Sequence, residues 1–197
     1  IQTPYSGMLP GHVAGHYSYE ESHIDLWPLC LFSGARLYHD EATGIDLHNK
    51  RVICKSRPSV SFDLVSINIG SRPEIKGIKG AEEFTTPVKP INRFVNRWNL
   101  LLDRVLSNTS NFHVAVVGAG AGGVELLLAI QFRLKKDLFD RGRDAKKLKF
   151  SLISRSKRIL PTFPSSVSDR FLKILHRRGV EVVTGSYATK VNQNELN

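Results

Sequence analysis

The stretch Phe112–Leu128, FHVAVVGAGAGGVELLL, constrains this chain more than any other. A Val-rich run from Val114 to Val117 meets Gly118, Gly120 and Gly123, and Glu125 to Ile130 then continues at helical spacing. This reads as a buried parallel strand, a tight turn, and a helix whose first N–H groups point at whatever lies above it. Gly118 permits the turn, Gly120 lets a pyrophosphate approach the backbone, and Gly123 lets helix and strand pack closely. The free amides and the helix dipole favour an anion there. The bland alternative is a phosphate-free turn in an ordinary βα unit; the strand before the glycines and the Leu-rich helix after them favour dinucleotide binding.

The rest of the chain falls into place around this unit. Pro10 opens a short helix running through Gly15 and His16, and Asp25 is an N-cap for a second helix that Gly34 closes. From Ala35 the hydrophobic period shifts to two: ARLYHDEATGIDL, NKRVICKS and SVSFDLVSINIG read as three strands, with His48-Asn49-Lys50 as a turn. Leu64 to Ile69 is apolar enough for a central strand, ending on Gly70-Ser71-Arg72-Pro73. Asn68 to Ser71 is therefore a second candidate ligand edge, because ligands of open α/β sheets sit beyond strand carboxyl ends. Gly77, Gly80, Pro87 and Pro90 mark a surface connection. Ile91, Phe94, Val95, Trp98, Leu101, Leu102, Val105 and Leu106 then form the core-packing stripe of an amphipathic helix that ends within Asn108–Asn111. Beyond Ile130 the basic run RLKKDLFDRGRDAKKLK reads as a solvated helix end and loop broken at Gly142. Phe150–Ile153 is a short strand, Ser168–Arg178 a helix capped by Gly179, and VEVVTGSYATKV the last strands.

Several function classes are disfavoured. With 28 basic and 18 acidic side chains the net charge is +10, which attracts anions, but no aromatics interleave with the basic run and nucleic acid is not the expected partner. Cys30 and Cys54 belong to no CxxC pair, which argues against a redox dithiol and a zinc ribbon. His12, His16, His23 and Asp25 raise a metal reading, but Gly15 weakens the helix that would align them, and no metal is expected. No apolar run approaches the roughly 20 residues of a spanning helix, and Ile1–Pro10 does not read as a secretory leader. The expectation is a cytoplasmic protein, with peripheral membrane contact left open.

The strand after the glycine helix normally ends in an acid that bonds the ribose 2′-hydroxyl of NAD. Here it ends in Ser154-Arg155, 36 residues past Gly118, a pair suited to a 2′-phosphate, so the reading leans towards NADP(H).

YSGMLPGHVAGHYS, HIDLWPL, FDLVSINIGSRP, VVGAGAGGVELLLAI and SRSKRILPTF together resemble the pyridine nucleotide-disulfide oxidoreductase superfamily. Within it the chain looks most like type II NADH dehydrogenase-like flavoproteins, particularly the module joined to selenide, water dikinase in some bacteria. The resemblance covers nearly the whole chain and implies an α/β, Rossmann-like FAD/NAD(P)-binding fold, with a nicotinamide domain inserted in an incomplete FAD domain. Residues 1–90 would be the partial FAD-binding domain, 91–109 a connecting helix and 110–197 the NAD(P)-binding domain. It further implies that Tyr5 to Pro10, with Ser6, Met8, Leu9 and Pro10, lies near the flavin. Glu41-Ala42 would contact the adenosine half of FAD, and Asn68, Ile69, Gly70 and Ser71 would close over FAD. Gly118, Gly120 and Gly123, with Ser154 and Arg155, would hold NAD(P)H. Glu125 would lie near the nicotinamide and flavin rings; a partly buried helix carboxylate is the alternative.

The family's first glycine motif, for the FAD pyrophosphate, is absent before Tyr5, and its closing Gly-Asp segment is absent before Asn197. The expectation is an internal piece of a longer chain that by itself holds FAD poorly and is inactive. For the intact protein the resemblance implies an FAD-dependent NAD(P)H oxidoreductase passing electrons to a quinone or another small-molecule acceptor. The rival is a non-catalytic nucleotide-binding or redox-sensing module attached to a selenide, water dikinase.

Overall fold

A computed structural model describes residues 1–71, 73–107 and 110–197; Arg72 of the expected strand end and Asn108 and Thr109 of the expected helix end lie outside the described residues. The chain divides into two units, residues 1–3 with 25–71 and residues 4–24 with 72–197. Strands β1 (Gln2–Pro4) and β2 (His23–Asp25) pair with each other. Between them, helix α1 (Leu9–Ala14) has Pro10 in its first turn and ends on Gly15, whose φ of 82° suits glycine.

In the first unit α2 (Leu26–Ser33) is capped as its sequence dictates. The Asp25 carboxylate accepts from the Trp27 N–H, and Gly34 closes the helix at φ 68°. Strands β3 (Ala42–Asp46) and β4 (Arg51–Cys54) form an antiparallel hairpin around Leu47–Lys50, and β5 (Val60–Ser61) adds a short third strand. The expected central strand over Leu64–Ile69 does not form. A strand needs a neighbouring backbone, and no ladder reaches this segment among the described residues. Its Leu64 and Ile69 side chains are 90% exposed.

The second unit carries the hydrophobic core. After the short α3 (Ala81–Phe84), α4 (Ile91–Ser107) buries Phe94, Val95, Trp98, Leu102, Val105 and Leu106, which repeat every three or four residues along one face. Strands β6 (Phe112–Val117), β7 (Leu148–Ser154) and β8 (Val180–Thr184) form a parallel sheet in the order β6-β7-β8. The crossovers are α5 (Ala121–Asp140) and α6 (Ser165–Arg177). Val124, Leu127, Leu134 and Leu138 of α5 join Leu9 and Val13 of α1, the α4 stripe, Phe150 and Leu152 of β7 and Leu175 of α6 in one cluster. The basic run ends α5 at Asp140 and turns at Gly142 with φ 67°, as read, but its helical part is not wholly solvated, because Leu134 and Leu138 within it are buried in the core. Among the described residues no helix is long and apolar enough to cross a membrane.

Candidate functional site

The parallel register aligns Val117 with Ile153, and Ser154 with Thr184, so all three strands deliver their carboxyl ends to one edge of the second unit's sheet. There Gly118 donates its N–H to the Ile153 carbonyl at 2.8 Å and turns at φ 111°. The chain enters α5 through Gly120, an extended residue that supplies no side-chain cap, and no acid stands in the first turn of the helix. The three glycines have different jobs. A Cβ on Gly123 would lie 1.8 Å from the Gly118 carbonyl oxygen, so this position exists for close helix–strand packing. A Cβ on Gly118 or Gly120 would meet nothing within 4 Å. The space above the helix mouth is thus open, floored by backbone and faced by the amino end of a 20-residue helix, a setting that fits a pyrophosphate.

The segment after β7 frames one side of this mouth. The Ser154 hydroxyl accepts from the Ser156 N–H at 3.2 Å, the Ser154 carbonyl accepts from Ser186 N–H, and the Ser156 carbonyl accepts from Gly185 N–H. Ser154 is buried, whereas Arg155 and Lys157 are exposed. Arg158 is committed to structure, donating to the Pro161 and Phe163 carbonyls at 2.8 Å each. Ile159 and Leu160 turn inward, and the Leu160 N–H donates to the Ala119 carbonyl at 2.7 Å. The clamp by Arg158 and the Leu160–Ala119 bond escaped the sequence reading; only Pro161 after Leu160 hinted at a special turn.

Glu125 is exposed, one turn into α5. Ser6 and Met8 form a single 3₁₀ turn leading into α1, where Leu9 is buried in the core and Pro10 half-buried. Ala42, Asn68, Ile69, Gly70 and Ser71 belong to the first unit and are all exposed, Gly70 at φ 71°. The histidines of the early segment each contact protein groups. His12 Nδ1 lies 3.2 Å from the Tyr17 carbonyl, His16 packs on Phe132, and His23 stacks on Tyr19. No group of metal-ligating side chains occurs among the described residues.

The family model described as pyridine nucleotide-disulphide oxidoreductase matches residues 2–196. A NADH dehydrogenase-like protein, YutJ of Bacillus subtilis, is 30% identical over 98% of this chain and 48% of its own length. A type II NADH:quinone oxidoreductase of Staphylococcus saprophyticus is 22% identical over 91% of this chain and 46% of its own. The structure of NDH2 from Plasmodium falciparum in complex with NADH superposes with a TM-score of 0.85 at 22% identity, over 99% of this chain and 43% of that one. The chain thus spans about half the length of the curated relatives it matches.

Proposed function

The chain belongs to the pyridine nucleotide-disulphide oxidoreductase family, and from that premise we propose that the protein is an FAD-dependent NAD(P)H oxidoreductase of the NADH dehydrogenase type. The observation that carries this reading is the open mouth above Gly118 and Gly120, with Gly123 closed against the Gly118 carbonyl. In the proposal the α5 amides and Gly118–Gly123 hold the NAD(P)H pyrophosphate, and Ser154 and Arg155 flank the adenosine end. Glu125 faces the nicotinamide side. Residues 1–90 contribute to the flavin side through Ser6–Pro10, Ala42 and Asn68–Ser71, residues 91–109 connect, and residues 110–197 form the nicotinamide side. Bound flavin would supply the hydride acceptor and the route to a small-molecule acceptor, for which a quinone is proposed because relatives carry that name. This chain's own part is to orient the nicotinamide cofactor and exclude water.

Peripheral membrane contact belongs to the proposal and rests on the quinone acceptor proposed from the relatives' names. Attachment to a selenide, water dikinase rests on the sequence resemblance alone, and a full-length transcript checks it. The test of the main reading is the purified full-length protein: a flavin absorbance spectrum, and steady NAD(P)H oxidation that depends on added quinone. Nucleotide binding without turnover would turn the reading into that of a sensor.

A further inference from the structure

We propose that the second unit carries a separate binding site for a single acyl chain ending in an anionic head, at the edge of its sheet where the strands begin. A cavity of about 720 Å³, within the range of small-molecule sites, opens there between the last turns of α5, the loop that holds Arg143 and Ala145, and Arg178. Ala145 precedes β7 and Arg178 precedes β8, so the cavity stands at the opposite end of the parallel strands from the glycine turn. The inference does not depend on the nucleotide site.

The lining selects an apolar body. Phe132, Lys135, Lys136 and Phe139 recur at the i, i+3, i+4, i+7 spacing of one helix face, on the side of α5 away from the core that Leu134 and Leu138 enter. Phe139 is 80% exposed, so an apolar guest would take a large ring surface out of water. The neutral and acidic groups of the lining, which a nucleobase or sugar would need, are already engaged. Gln131 Nε2 donates to the Arg178 carbonyl at 3.1 Å. The Asp144 carboxylate accepts from Lys146 N–H at 2.8 Å and pairs with Lys146 Nζ at 3.2 Å. Hydrocarbon and positive charge are what the cavity offers a guest.

The charge selects the head. Of the four cations in the lining, Lys136 pairs with Asp140 at 2.6 Å and Arg143 donates to the Leu106 carbonyl. The other two are less engaged. Lys135 Nζ reaches the Arg178 carbonyl at 3.5 Å, and the Arg178 guanidinium makes no hydrogen bond or ion pair with the described residues. Both carry alkyl stems that cover a chain while their charged ends meet a carboxylate or phosphate. Asp140 and Asp144, the acids beside them, are each neutralised by a lysine and leave an anion unopposed.

Calorimetry on the full-length protein tests this with decanoate, decyl phosphate, decanol and decyltrimethylammonium, each below its micelle concentration, and flotation with phosphatidylglycerol vesicles forms a separate arm. The expected result is one decanoate or decyl phosphate per chain, bound about tenfold or more tighter than decanol, with no binding of the ammonium. The double substitution Lys135→Gln with Arg178→Gln keeps much of the alkyl stems and should bring both anions down to the affinity of decanol. Phe139→Ser, at an exposed position that the fold does not need, should weaken the anions and decanol alike. Decanol binding as tightly as the anions would overturn the role of the two cations. Affinity unchanged in both variants would place the anion elsewhere and overturn the site. Capture by vesicles without any binding of decanoate would make this face a bilayer contact and remove the cavity as a site.

Discussion

A Cβ on Gly123 would sit 1.8 Å from the carbonyl oxygen of Gly118, so the first and third glycines of the turn are pressed together while the middle one, Gly120, opens on free space. Packing and binding are thereby assigned to different residues. Gly123→Ala forces helix from strand and should cost about 3 kcal/mol. Gly120, at φ −75°, accepts alanine without backbone strain, and Gly120→Ala at this N-cap position should cost about 1 kcal/mol or less. Its methyl would occupy the pyrophosphate seat and weaken nucleotide binding about tenfold or more. Thermal unfolding and nucleotide titration of the two variants check the division, and a Gly120→Ala protein with unchanged affinity would contradict it.

Leu160 is buried at φ 48°, a conformation that costs a non-glycine residue about 1–2 kcal/mol, while its N–H holds the Ala119 carbonyl. Leu160→Ala should destabilise by about 2–5 kcal/mol through the lost side chain. Because glycine tolerates this conformation, Leu160→Gly should be no worse than Leu160→Ala, the reverse of the usual order. Denaturant unfolding of the pair measures it.

Ser151, buried in β7, joins two neighbours across the sheet. His113 Nε2 lies 2.7 Å from its hydroxyl oxygen, and the hydroxyl donates to Glu181 at 2.8 Å. His113 and Glu181 are exposed and can recover water, so Ser151→Ala should cost about 1 kcal/mol and no more. Denaturant midpoints of Ser151→Ala, alone and combined with Glu181→Gln, should show coupling between the two sites.

The difference between what the sequence discloses and what it conceals follows the range of the interactions. The α4 stripe, the Asp25 and Gly34 caps and the glycine turn are local patterns, each set by residues a few positions apart, and each forms as its spacing dictates. The Ser151 contacts join residues 30 and 38 positions apart, and no local pattern announces them. Ser151 instead hides in a run that reads as a short apolar strand. Leu64–Ile69 fails for the complementary reason. Its composition asks for burial, but pairing depends on a neighbouring strand, which none of the described residues provides.

The Asp25 cap makes a pH prediction. The Trp27 N–H bonded to its carboxylate holds Asp25 below the usual carboxylate range, against a smaller opposing push from desolvation. A lowered folded-state value means that the unfolded chain takes up the proton first on acidification. The cap's contribution is therefore complete at neutral pH and is lost as pH falls below about 4. Hydrogen exchange in the first turn of α2 should quicken, relative to the intrinsic rate, between pH 5 and pH 3. Asp25→Asn keeps a side-chain acceptor with no proton to gain, so its protection should be independent of pH over that interval. Asp25→Ala should be poorly protected throughout, and equal acid sensitivity in the wild-type protein and Asp25→Asn would assign the effect to another carboxylate.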